Sequence, residues 1–218
     1  MNVTQLITAA FILARSRYPE LCTIWNRISF QVSALLPNSL LMVSVQRTGD
    51  LDMILRAMED DYSPPTEGTG EAGRPADLFS DHYHLMLSEL WVGAVYEVFR
   101  LLIERKLTPD SDAIRALAHD LRLLRIPLEK HEIAADRKLS ETLRMQRYPP
   151  NNNETDSYHY SKNDARRAHI MPSGISSRGS VMWYVIDVKS QKSFWLERRA
   201  LSERIVAIWG LAAGDTGT

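Results

Sequence analysis

Two residues, Arg125 and His131, stand in the stretch RIPLEKHEIAADRKL with five residues between them. A histidine of ordinary basicity can take a proton from a hydroxyl or give one to a leaving oxygen. A guanidinium can stabilise charge that develops on a phosphoryl group. Close to this pair lie Arg115, His119 and Arg122, which at about 100° per helical residue project into roughly a third of a helix circumference with Arg125. Such a stripe suits the phosphate backbone of a nucleic acid. The plainer reading is a solvated helix face, with His131 hydrogen-bonded to a neighbour such as Glu132.

Other constellations are weaker. HEIAA, residues 131–135, begins like the zinc-binding HExxH pattern but has Ala135 where the second ligand belongs, so a zincin is excluded. HYH at residues 82–84 places two imidazoles beside Asp81 without a third ligand, and a polar helix boundary accounts for it. Arg166, Arg167 and His169 in RRAHIMPSG sit among turn residues, where cations and backbone amides can hold a phosphate; a solvated basic loop is the simpler reading. Tyr158, His159 and Tyr160 could stack on bases or merely pin a loop to the body. Walker-type, dinucleotide-binding and nucleophile-elbow motifs are absent, which removes the usual support for NTPase, Rossmann and hydrolase readings.

The elements that must position these residues are mainly helical. Polar Glu89, Gly93, Glu97, Arg100 and Glu104 form one narrow stripe on an otherwise apolar helix at 84–106, which must be covered on several sides or lie at a subunit interface. Pro109, Asp110 and Ser111 then start a helix whose apolar face is Ile114, Leu117, Leu121 and Leu124. Pro127 is expected to kink or restart it, giving a further helix at about 127–146 that buries Leu128, Ala135, Leu139 and Leu143. Upstream, residues 1–61 read as helical pieces broken at YPE (18–20) and LPNS (36–39), although SLLMVSVQ also fits a strand. Residues 62–80 form a linker or long loop, 81–148 a central bundle, and 149–180 a polar loop. Residues 181–218 supply a β-hairpin and a terminal helix, in which Val, Ile, Trp and Tyr occupy the strand positions. The predicted fold is therefore mainly α, a helical bundle with a small C-terminal β-hairpin and terminal helix.

Composition narrows the function classes. With 26 Lys plus Arg against 27 Asp plus Glu, the chain has no global attraction for nucleic acid or anionic lipid, so binding must rest on a local patch. Six of the cations are Lys and twenty are Arg, the residue suited to bidentate phosphate or carboxylate contacts. A single cysteine, Cys22, excludes an intramolecular disulfide and points to a reducing compartment, with the cytoplasm as default. The N-terminal apolar run lacks a preceding basic region and ends at Arg15, unlike a secretory signal or membrane span.

RIPLEKH, preceded by ELWVGAVYEVFRLLIERKL and IRALAHDLRLL, resembles the HEPN superfamily (higher eukaryotes and prokaryotes nucleotide-binding) over residues 78–148. Members are compact helical domains marked by Arg, four to six arbitrary residues, then His. The resemblance implies a metal-independent endoribonuclease without cofactor, in a toxin or phage-defence setting. Arg125 and His131 would then be catalytic, and Arg115, His119 and Arg122 would bind substrate. On one straight helix Arg125 and His131 point about 120° apart, so either a kink at Pro127 or a second copy would bring them into one cleft; the resemblance implies the second, a homodimer whose two pairs line a shared groove. RNA and an antitoxin-like protein are the implied partners. Members can also lack activity, so a non-catalytic helical module that binds RNA or a partner protein is the rival expectation.

Overall fold

Asn2 opens the first helix by accepting a hydrogen bond from the Gln5 amide while the Gln5 side chain accepts from the Asn2 amide, both at 2.9 Å. The computed structural model describes residues 2–37, 39–62, 78–108, 111–146 and 157–210. Within them run α1 (Val3–Arg17), α2 (Pro19–Leu35), α3 (Leu41–Asp60), α4 (Leu78–Glu104), α5 (Asp112–Lys130) and α6 (Arg198–Gly210). The strands are β1 (Leu143–Gln146), β2 (Ser157–Tyr160), β3 (Ser173–Ile175), β4 (Val181–Asp187) and β5 (Lys192–Glu197). The protein is mainly α-helical.

Both expected N-terminal breaks occur. Tyr18 alone separates α1 from α2, and Pro19 begins α2 at a position where its missing N–H has no helical partner to lose. The segment SLLMVSVQ resolves as the end of a connection and the start of α3 rather than a strand. Gly49 of α3 lets Trp25 of α2 lie directly on the helix backbone, since a Cβ there would stand 2.5 Å from the Trp25 ring.

α4 is the central helix that its composition predicts. Trp91, Val92, Val95, Val98, Phe99 and Leu102 are buried in one core shared with Trp25 and Val32 of α2, Leu55 of α3, Leu121 of α5, Trp183 of β4 and Ile205 of α6. Glu97, Arg100 and Glu104 remain outside, where Arg100 bridges the two carboxylates at 2.7–2.9 Å. No helix among the described residues is long and apolar enough to cross a membrane.

The expected hairpin is β4–β5, in register Trp183↔Leu196 and Val185↔Phe194, but β3 pairs antiparallel with β4 and makes a three-stranded sheet. β1 and β2 form a second antiparallel pair, with Leu143 opposite Tyr160. The segment read as a polar loop therefore holds two strands. The expected linker at 62–80 lies mostly outside the described residues, and α4 begins at Leu78 within its end.

The predicted helix at 127–146 does not form. α5 passes through Pro127 and ends at His131, whose backbone is left-handed at φ 54°, ψ 34°. Ala135 is left-handed too, and a single 3-10 turn at Asp136–Lys138 carries the chain away from the helix axis. The spacing of Leu128, Ala135, Leu139 and Leu143 mimics a helical period, yet Ile133 and Leu139 instead pack on Tyr160 in a separate small core. Tertiary pairing with β2 overrides local propensity here.

A buried ion cluster fastens α6 to α3. The Arg198 guanidinium is fully enclosed, donates from Nε and Nη2 to Glu59 Oε1 at 2.8 and 2.6 Å and from Nη1 to Asp52, and lies 5.3 Å from the Trp91 ring. Asp52 also accepts from Trp25 Nε1 (3.0 Å) and Arg56 Nε (3.2 Å), while Arg56 Nη2 donates to Ser202. Burial pushes the Asp52 carboxyl up, but Arg198 and Arg56 outweigh it and hold the group below its ordinary value.

Candidate functional site at the C-terminal end of helix α5

Ser111 caps α5 by accepting from the Ile114 amide, and Ile114, Leu117, Leu121 and Leu124 face the core as expected. That anchoring fixes which side chains look outward. Arg125 lies on the border with α4, where it pairs with Glu129 one turn ahead and with Glu97 of α4 at 3.7 Å. Its guanidinium carbon stands 6.0 Å from the centre of the Tyr96 ring. The Glu129 carboxylate also comes close to α4 at Gly93, where a Cβ would be 3.7 Å from its oxygen.

His131 caps the same helix and is exposed. Its amide donates to the Pro127 carbonyl at 3.0 Å, and its own carbonyl accepts from the His169 amide at 2.7 Å. The exposed imidazole shares a neighbourhood with Glu89 and His82 of α4. Partial burial raises the Glu89 carboxyl above its ordinary value, with His82 and His131 pulling the other way. Arg125 and His131 thus lie at the end of one element with separate sets of neighbours.

Below His131 the chain builds a tied corner. Tyr160 Oη accepts from the Ile133 amide at 3.1 Å and donates to Asp136 Oδ2 at 3.0 Å. Arg167 closes it with Nε on Asp136 (2.7 Å) and Nη2 on Glu132 (2.9 Å). Burial raises the Asp136 carboxyl, but the bonds from Arg167 and Tyr160 prevail and hold it low. His169 is buried against Tyr160 and shares a 3.2 Å hydrogen bond with Tyr158 Oη; burial lowers its pKa to about 4, so it is neutral near pH 7. Two left-handed non-glycine residues within five positions, His131 and Ala135, mark stored backbone strain at this corner.

No family model, curated protein or solved structure matches the chain.

The remaining sequence candidates disperse. Arg115 is exposed and pairs with Asp112 at 2.6 Å. His119 Nε2 lies 3.2 Å from Asp187 of β4, and Arg122 is exposed. Between them Asp120 is taken by Arg204 of α6 at 2.6 Å. His82 is exposed whereas His84 is buried in the core with its pKa lowered to about 4 by burial and by Arg198, so the two imidazoles diverge. Among the described residues no group of three His, Cys, Asp or Glu is placed to hold a metal ion. Arg167 and His169 serve the corner, while Arg166 and His159 are exposed.

Sequence reasoning missed the acids. The Arg125–Glu129 spacing of four was readable as a helix pair; the approach of Glu97 and the Asp136–Tyr160–Arg167 group depend on long-range packing. Glu89, Glu97, Glu129 and Glu132 line this end of the α4–α5 seam, three of them bridged by Arg100, Arg125 and Arg167, and beside it α4 exposes Tyr83, Met86 and Leu90 at helical spacing.

Proposed function

We propose that the chain is a non-catalytic helical module that binds a basic, amphipathic segment of a partner protein along the α4–α5 seam. The observation that carries this reading is the engagement of Arg125 by Glu129 and Glu97. A guanidinium held by two carboxylates of its own chain is poorly placed to clamp a phosphoryl group. Exposed Tyr83, Met86 and Leu90 offer apolar anchors at helical spacing, and the carboxylates of Glu89, Glu97 and Glu129 beside them can accept from the cations of a basic helix laid on the seam, Glu97 and Glu129 exchanging their own arginine partners for it.

Fluorescence anisotropy with a labelled Lys/Leu amphipathic helical peptide tests it. The reading expects saturable binding that weakens with salt and falls about tenfold when Met86 and Leu90 are both changed to Lys, a loss of about 1.4 kcal/mol. Binding that is absent, or equal in that variant, contradicts it.

A ribonuclease of the HEPN type is the second reading, favoured by the exposed His131 imidazole beside a half-buried Glu89 whose carboxyl is held high. It requires a second copy to bring an Arg125 near His131. Cleavage of mixed RNA in excess chelator that disappears in both His131→Ala and Arg125→Ala supports this reading; no cleavage by wild type opposes it.

A further inference from the structure

α1 and α2 both pack along α3. Arg15 of α1 reaches Asp50, Trp25 of α2 lies on Gly49 and Asp52, and the Tyr18 joint reaches Asp60. The N-terminal half of α1, the C-terminal half of α2 and the start of α3 consequently share one end of the bundle. That end is unusual in two ways.

First, its large apolar side chains are uncovered. Val3, Leu6, Ile7, Phe30 and Leu40 each leave at least 50% of their surface exposed, and of the fifteen residues of α1 only Ala14 is buried. A helix with a complete capping box at its start and almost nothing buried along its length gains little from its own chain. These five side chains together expose on the order of 500–600 Å² of apolar surface, at the upper end of what a typical monomer presents and most of the ~800 Å² per partner that a stable interface buries.

Second, charge is missing. In a chain that is 24% charged, neither residues 1–14 nor residues 28–46 contain a single Asp, Glu, Lys, Arg or His. Depletion of charge is the compositional mark of an interface core. A helix that lies on a lipid surface normally carries Lys or Arg along its polar face, and α1 has none before Arg15. An uncharged face also offers nothing to steer a charged partner, whereas it meets a copy of itself without like-charge repulsion, as a two-fold interface demands.

We infer that this end of the bundle is a self-association surface whose occupant is the same end of a second copy, forming an isologous homodimer through α1, α2 and the start of α3. It is a different face from the α4–α5 seam and does not depend on the function proposed for that seam.

Sedimentation equilibrium of the full chain up to ~100 µM, alone and with neutral phosphatidylcholine vesicles, tests the inference. Wild type is expected at twice the 24.9 kDa chain mass. An Ile7→Glu, Phe30→Glu double variant, altered only at exposed positions, is expected at the single-chain mass with an unchanged helical circular-dichroism spectrum. A lone wild-type chain at every concentration overturns the inference, as does a variant that stays dimeric with its spectrum intact. Co-sedimentation of a wild-type monomer with vesicles overturns it in favour of a lipid surface. Should the double variant lose its helical spectrum, Leu6→Gln alone decides, with a weakened dimer expected and an unweakened one contrary.

Discussion

The guanidinium of Arg125 is held by the carboxylate of Glu129, one helical turn ahead on α5, and Glu97 approaches it from α4. This pairing sets the electrostatic character of the seam. Replacing Glu97 and Glu129 together by Gln releases Arg125 and removes two negative charges beside it. Affinity for a basic amphipathic peptide is expected to fall several-fold, while retention on immobilised heparin rises. Parallel anisotropy and salt-elution measurements check both directions at once.

Arg198 tests the link between α6 and α3. Its removal leaves Asp52 and Glu59 buried without their main cation, and breaking a buried pair from one side costs about 3–5 kcal/mol. Arg198→Met is therefore expected to lower the urea midpoint strongly without changing the slope. Arg17→Met, which removes an exposed partner of Asp61, is expected to leave the urea midpoint close to that of wild type.

Acid sensitivity follows from two buried imidazoles. His84 and His169 titrate near 4 in the folded chain, against an ordinary value of 6.5, because burial disfavours their charged forms. The unfolded chain thus binds more protons between pH 6.5 and about 4, and stability is fully present above 6.5 and falls as the pH drops through that window. Asp52 and Asp136, held below 3.8, extend the loss to lower pH. Denaturant midpoints measured across the acid range are expected to decline from near 6.5 in wild type and to decline less steeply in His169→Gln.

Ala135 carries a left-handed backbone at φ 62°. Glycine adopts that conformation without a Cβ clash, so Ala135→Gly is expected to stabilise the protein by about 0.5–1 kcal/mol, against the usual cost of adding a glycine. Thermal melting resolves the sign.

Legibility in the sequence tracks how local each feature is. The breaks at Tyr18 and Leu36–Leu40, the Ser111 cap, the buried face of α5 and the apolar run of α4 all follow from residues within a few positions of one another. The course after His131 does not, because Leu139 and Leu143 keep a helical spacing while their packing partners, Tyr158 and Tyr160, come from a later strand, β2. The Arg198 cluster was equally hidden: Asp52 and Glu59 read as ordinary polar positions of a helix, and only the return of α6, some 140 residues later, encloses them. At the candidate site, Arg125 and His131 were visible as types. Their neighbours were not, since Glu97 arrives from another helix and the left-handed backbone at His131 depends on the turn that follows.

We propose that the α4–α5 seam binds and does not cleave. It is tested most directly by incubating purified protein with mixed RNA in excess chelator near neutral pH, beside Arg125→Ala and His131→Ala. RNA is expected to stay as intact with wild type as without protein; cleavage by wild type that is lost in both variants would overturn the proposal.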